Sequence, residues 1–293
     1  KVAKEWGKLY ETYGPMRRMF YENTRAKKDY NRKVKPSPEE VKKMDEEAAA
    51  LKQKYERQLK DFCDRHPDSY VSLMEVKRKV RETPAEELLA DYNRLSQRMQ
   101  DCTVGQEVKA MIMAKKNSAV GVVAPDFTGT DPEGKEVRLA DYRGQYVLLD
   151  FWGSWCHACR YSHPHMLELY GKYHSRGLQF IHIASEYQKK IEEKKEKWLA
   201  AIREDQIGVF THVLNTALIY ARTGVGDFEG AEQIVRRYIS EDGACTDEND
   251  IVKAYSIQAF PTKILLSPTG EILGRWEGEA SELDQMLEKI FLK

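Results

Sequence analysis

Cys156 and Cys159, in the run Cys156-His157-Ala158-Cys159, are the residues whose type and spacing point most directly to chemistry. The preceding run Tyr146-Val147-Leu148-Leu149-Asp150-Phe151 is almost wholly apolar, as a central strand covered on both faces is. A short Trp152-Gly153-Ser154-Trp155 link follows, and a helix is predicted from His157 to about His174. Cys156 therefore falls at a helix amino terminus, where unpaired backbone N–H groups and the helix dipole stabilise an anion. Thiolate is the attacking species in disulfide exchange, so Cys156 is the expected nucleophile. Cys159 lies one turn later, shielded by that turn, and suits resolution. It attacks the mixed disulfide formed on Cys156, releases the reduced substrate and closes an internal bond.

Other uses of the pair fit less well. A closed zinc site needs a second pair at suitable spacing, whereas Cys63, Cys102 and Cys245 are scattered singly. His157, His163 and His165 are nearby nitrogen donors, yet His163 and His165 read as surface residues flanking a kink at Pro164, and no metal is expected. A thiol peroxidase needs a Pro-x-x-x-Thr-x-x-Cys arrangement, which Gly153-Ser154-Trp155 before Cys156 does not supply. From another class, a binding or scaffold protein could keep the same architecture while its helical half performs the main task.

The rest of the chain must position these thiols. Its 293 residues are enough for two domains, and 47 basic against 47 acidic residues leave no net field to draw in nucleic acid or an acidic membrane. No apolar run approaches the roughly 20 residues that span a bilayer, and no charged-then-apolar leader opens the chain, whose first residue, Lys1, reads as a processed or trimmed start. Five cysteines are too few and too scattered for a disulfide scaffold; Cys63 and Cys102 read as small buried side chains, and Cys245 lies in a polar stretch, Glu241 to Asp250, where a resolving or regulatory role is the lesser reading.

Residues 1–117 form an all-α region, read as a spacer, docking or dimerisation element. Met44, Ala48, Leu51, Tyr55, Leu59 and Phe62 make one helical stripe, broken at His66-Pro67-Asp68-Ser69. A second helix runs through Tyr70, Leu73, Met74 and Val80. Thr83-Pro84-Ala85-Glu86 looks like a capped start for a third, which would bury Leu88, Leu89, Tyr92, Leu95 and Met99, and Thr103 with Gln106 repeats that logic for a fourth. The basic cluster Lys27–Lys35 and the charge run Glu192–Lys197 read as solvated faces.

Residues 118–293 read as an α/β domain. A hairpin turning at Asp131-Pro132-Glu133-Gly134 leads into the strand before Cys156, and strands at 178–184, 209–214, 263–267 and 271–276 alternate with helices at 189–205 and 281–292. Early alternation followed by a late hairpin implies a mixed sheet with helices on both faces. Residues 215–250 are longer than a simple connection and read as an insertion near the cis-proline side, either an ornamental loop or one that shapes partner choice.

Leu149 through Arg160, together with Ala124-Pro125-Asp126-Phe127 and Leu139 through Gly144, resembles the TlpA/ResA-like thiol-disulfide oxidoreductases of the thioredoxin superfamily, and Ala259-Phe260-Pro261-Thr262 is similar to that family's cis-proline loop. The resemblance spans 118–293, with a weaker helical match at Phe62–Val71; the small β domain that often comes first in the family is absent. It implies a thioredoxin-like fold, Asp150 as proton acceptor for Cys159, a cis Pro261 with Phe260 facing the cysteines and pairing with substrate, and Trp155 packed beside the nucleophile. It also implies protein thiols and disulfides as partners, a redox-active disulfide in place of a cofactor, a membrane thiol reductase as electron donor, and an extracytoplasmic bacterial location. Two positions depart from the pattern. Ser162 stands where the family commonly has Glu, and His157 adjoins the first cysteine, where a positive charge stabilises the thiolate and raises the potential.

Overall fold

The computed structural model describes residues 37–188, 190–216, 250–278 and 281–292. The basic cluster at 27–35, Cys245 and nearly all of the expected insertion lie outside the described residues. The chain divides into two compact units between Lys109 and Ala110.

The amino-terminal unit is built from α1 (Pro38–Arg65), α2 (Tyr70–Lys79), α3 (Ala85–Asn93), α4 (Gln97–Asp101) and the start of α5 (Thr103–Asn117). A capping box opens α1: Ser37 Oγ accepts from Glu40 N–H, and the Glu40 carboxylate accepts from Ser37 N–H. Of the expected stripe, Leu59 and Phe62 are buried and the earlier members half-buried. Leu73, Leu88, Tyr92, Leu95 and Met99 are buried too. Thr83 does not cap α3: the helix begins one residue later than expected, with Pro84 in the N-cap place and no side-chain bond, while Thr83 N–H donates to Lys79 O. Cys102 is only half-buried: its Sγ accepts from Gly105 N–H at 3.4 Å, occupying the capping place that the sequence assigns to Thr103. Cys63 is half-buried as well.

The carboxy-terminal unit opens with a hairpin, β1 (Thr128–Thr130) and β2 (Glu136–Arg138). Asp131 Oδ1 accepts from Glu133 and Lys135 N–H in its turn, and Gly134 supplies the positive φ of +85°. Then follow β3 (Tyr146–Trp152), α6 (His157–Tyr173), β4 (Leu178–Ser185), α7 (Ile191–Glu204), β5 (Thr211–Asn215), the short α8 (Ile251–Ala254), β6 (Thr262–Leu266), β7 (Ile272–Glu277) and α9 (Ser281–Phe291).

The sheet order is β5-β4-β3-β6-β7, with β3, β4 and β5 parallel and β6 and β7 antiparallel to their neighbours. That is the mixed sheet of a thioredoxin-like fold. Side-chain alternation divides β3 between two cores. Leu148 and Trp152 pack with α6, α7 and α9 residues such as Met166, Trp198 and Leu283, while Val147, Leu149 and Phe151 pack with Phe127, Ile251 and Tyr255 on the opposite face. The charge run on α7 is not wholly a solvated face: Lys194, one turn before the core residue Trp198, is buried, and its Nζ donates to Thr216 O at 3.4 Å.

Arg275 on β7 steadies the segment that leads into β6. Its guanidinium donates to Tyr255 O at 2.7 Å and to Ser256 O at 2.8 Å, and Ser256 holds a positive φ of 49°. Arg275→Met strands both carbonyls and is expected to cost about 2–4 kcal/mol, measured by urea unfolding with tryptophan fluorescence. A loss below about 0.5 kcal/mol would show that the carbonyls find other partners.

Candidate active site

The tight link between β3 and α6 presents the two cysteines. Trp152 anchors its start in the core. Gly153 must be glycine, since a Cβ there would lie 2.5 Å from Trp155 Nε1 and 2.6 Å from Ser185 O. Ser154 is held from the end of β4: the Glu186 carboxylate accepts from Ser154 N–H at 2.7 Å and from its hydroxyl at 2.6 Å. Trp155 Nε1 donates to Ser185 O at 2.8 Å, which fixes the indole beside the cysteines.

Cys156 is the N-cap of α6, and its Sγ accepts from Cys159 N–H at 3.2 Å. A sulfur in that place is solvated by the helix's own unpaired donors. The two cysteines are joined as a disulfide, with Cα atoms 5.3 Å apart. Cys156 keeps 6% of its surface and Cys159 none. An incoming partner therefore meets Cys156 first. His157, the first residue of α6, is exposed.

The Phe260–Pro261 peptide is cis. Thr262 Oγ1 donates back to Ala259 O at 2.8 Å, tying the loop before β6 begins. Phe260 meets Trp155 edge-on with centroids 5.5 Å apart, and Tyr187 packs against Trp155 with centroids 4.0 Å apart and the rings tilted by 32°. Trp155 is 37% and Tyr187 48% exposed, so the disulfide is bordered by an aromatic surface.

Beneath the thiols lies a buried polar set. Asp150, two residues before Trp152 on β3, faces the α6 core; its carboxylate lies 3.5 Å from Lys263 Nζ and 3.6 Å from His182 Nδ1. Lys263 Nζ also donates to Ser162 Oγ at 3.4 Å, and Ser162 Oγ donates to Cys159 O at 2.8 Å. An ammonium thus comes close to the resolving cysteine's turn. His163 is wholly buried, contrary to its reading as a surface residue: the helix turns it inward, and its Nδ1 lies 2.8 Å from Asp205 Oδ2. His165, on the other side of Pro164, is exposed and bonds Asp284.

Burial sets the protonation of these groups. It lowers His163 despite the opposing charges of Asp150 and Asp205, holds His182 well below the usual imidazole value with His212, His163 and Lys263 adding to the effect, and brings His212 to about 4. Burial alone would raise Asp205, but hydrogen bonds from Arg160 and His163 outweigh it and the carboxyl is lowered. Asp150, His163 and His182 each offer a donor atom within 4.8 Å of the others, a set of the type that binds divalent metals. Lys263 already supplies the countercharge to that carboxylate, so a divalent ion would add uncompensated buried positive charge.

Cys156 and Cys159 are bonded, Phe260 packs against the cluster that holds them and meets Trp155 edge-on, and Pro261 follows Phe260 through the cis peptide. Glu186, Lys263, His182 and the inward His163 are additions that the sequence reading did not make. A disulfide at a helix start beside a cis-proline loop, on this sheet, defines a thioredoxin-superfamily domain of the thiol-disulfide oxidoreductase class.

The AhpC/TSA family matches residues 120–219. The thiol-disulfide oxidoreductase ResA of Bacillus thuringiensis subsp. konkukian is 28% identical over 174 residues, 58% of this chain and 78% of that protein. ResA of Geobacillus thermodenitrificans is 44% identical over a shorter stretch of 79 residues, 27% of this chain and 45% of that protein. Among solved structures, the thioredoxin domain of a thiol-disulfide oxidoreductase from Bacteroides vulgatus is 28% identical, with 59% of this chain and 98% of that chain covered at a TM-score of 0.42. Over its carboxy-terminal unit the chain is similar to the ResA thiol-disulfide oxidoreductases.

Glu186 yields a test of the site's electrostatics. Burial raises its carboxyl, and the hydrogen bonds from Ser154 and the charge of Lys194 offset this only in part. A carboxyl raised on folding favours the fold in its neutral form; that stability is complete below the unfolded value of about 4.3 and is lost as pH rises through the folded value. Glu186→Gln keeps both Ser154 contacts without the charge. Its stability relative to wild type is expected to be greater at pH 8 than at pH 4 by urea unfolding, and a difference that does not grow with pH contradicts this reading.

Proposed function

We propose that the protein reduces disulfides in protein substrates through Cys156 and Cys159, outside the cytoplasm of a bacterium, and is recharged by a membrane thiol reductase. The observation that carries this reading is the disulfide's asymmetry: Cys156 is reachable and caps the helix, whereas Cys159 is sealed behind it. The resemblance to ResA, a thiol-disulfide oxidoreductase, supports disulfide exchange at this pair. Among the described residues no helix is long and apolar enough to cross a membrane.

In the reduced state the Cys156 thiolate attacks one sulfur of the substrate disulfide and expels the other as a thiolate. The Cys159 thiol then passes its proton to Asp150, and its sulfur attacks Cys156 Sγ. The substrate's remaining sulfur leaves as a thiolate, the internal bond closes, and two electrons have moved to the substrate. Phe260 and Pro261 offer backbone to an extended substrate strand, Trp155 limits approach to one side, and a charge on exposed His157 favours the Cys156 thiolate.

Two outcomes check these roles. Cys159→Ser is expected to accumulate mixed disulfides on Cys156, seen as reductant-sensitive adducts by mass spectrometry, with none in Cys156→Ser; equal adducts in both variants would reverse the assignment. Asp150→Asn is expected to slow alkylation of Cys159 and to displace its pH profile, and a profile identical to wild type would remove Asp150 as the proton acceptor.

A further inference from the structure

One rung of the central sheet is polar across four strands. The register pairs His212 with His182, His182 with Asp150 and Asp150 with Lys263. All four are at most 3% exposed, and α6 sets the equally buried His163 beside them. The side chains of Asp150 and His182 make no hydrogen bond among the described residues, nor does Nε2 of His163. Buried polar groups are ordinarily hydrogen-bonded, so a buried cluster whose charges and rings approach one another without hydrogen bonds calls for an explanation.

Geometry points to transit. From Asp150 Oδ2 to His182 Nδ1 is 3.6 Å, donor atoms of Asp150, His182 and His163 lie within 4.8 Å of one another, and His163 Nδ1 reaches Asp205 Oδ2 at 2.8 Å. The longer gaps are spans that one water molecule bridges. Asp205 is 14% exposed and held by Arg160, so the series runs from beneath the disulfide to solvent. We propose that His182, His163 and Asp205 are a proton conduit that connects Asp150 with bulk water.

This proposal rests on the thiol-disulfide reading, because that chemistry creates the need. Closing the internal disulfide releases one proton from Cys159, and both Cys159 and Asp150 are sealed from water. A carboxyl that accepts the proton must pass it on before the next cycle. A neutral imidazole does so by taking a proton on one nitrogen and releasing one from the other. The order is Asp150 to His182 to His163 to Asp205, then water; reduction by a donor dithiol, itself oxidised to a disulfide, runs the proton inward. The titratable groups facing His182 are Asp150 on β3, His212 on β5, His163 on α6 and Lys263 on β6. Burial keeps the imidazoles neutral, the form that relays.

The test separates the two chemical steps in stopped-flow experiments with glutathione disulfide as oxidant. The Cys159→Ser background reports attack by Cys156, and the wild-type background reports resolution. His182→Leu is expected to slow resolution at least tenfold more than attack between pH 5 and 9 and to enlarge its solvent deuterium isotope effect. A merely structural role moves both steps together and leaves the isotope effect unchanged. Asp205→Asn, at the wetter end, is expected to slow resolution in the same way and carries the test if His182→Leu does not fold. Resolution within twofold of wild type in a folded variant overturns the conduit alone. A wild-type protein that does not react with the disulfide overturns the thiol-disulfide reading as well.

Discussion

A carboxylate buried in the middle of a sheet survives only if its charge is answered, and the ion pair between Asp150 and Lys263 is the constraint around which this domain is arranged. The pair joins two adjacent strands, each ending at the site. Asp150 precedes Cys156 by six residues, and Lys263 follows the cis Pro261 by two. The register that places Asp150 opposite Lys263 also brings the cis-proline loop beside the disulfide. A slip of one residue would turn the carboxylate toward the opposite apolar face, where Phe151 and Ile264 pack.

Around this pair the molecule divides labour by depth. At the surface, Trp155, Tyr187 and Phe260 border the entrance. At the helix start, Cys156 is stabilised by backbone donors, and Glu186 holds the turn through Ser154. Below, Lys263 and Ser162 tie β6 to the carbonyl of Cys159. The carboxyls of the site come from β3, in Asp150, and from the end of β4, in Glu186.

Much of the site was legible because its signals are local. The Cys-His-Ala-Cys spacing, the apolar run before it and the Ala-Phe-Pro-Thr segment each lie within a dozen residues, and the structure brings them together. The missed residues depend on pairing between distant strands. Asp150, His182, His212 and Lys263 each interrupt an apolar run, yet nothing within any one run says that the four fall on one rung. His163 sits in a polar-looking stretch beside Pro164, and only the face α6 turns to the sheet decides that it is buried while His165 is not. Thr83 is not the cap of α3 because the helix begins one residue later, with Pro84 in the N-cap place, a shift of boundary that residue preferences do not resolve.

The reduction of insulin disulfides by dithiothreitol tests the central claim, exchange at Cys156 and Cys159, most directly. Wild type is expected to accelerate precipitation of the insulin B chain well above the dithiothreitol background, with Cys156→Ser at background. A wild-type rate equal to background, from protein shown to be folded and fully reduced, would contradict disulfide exchange as the work of this site.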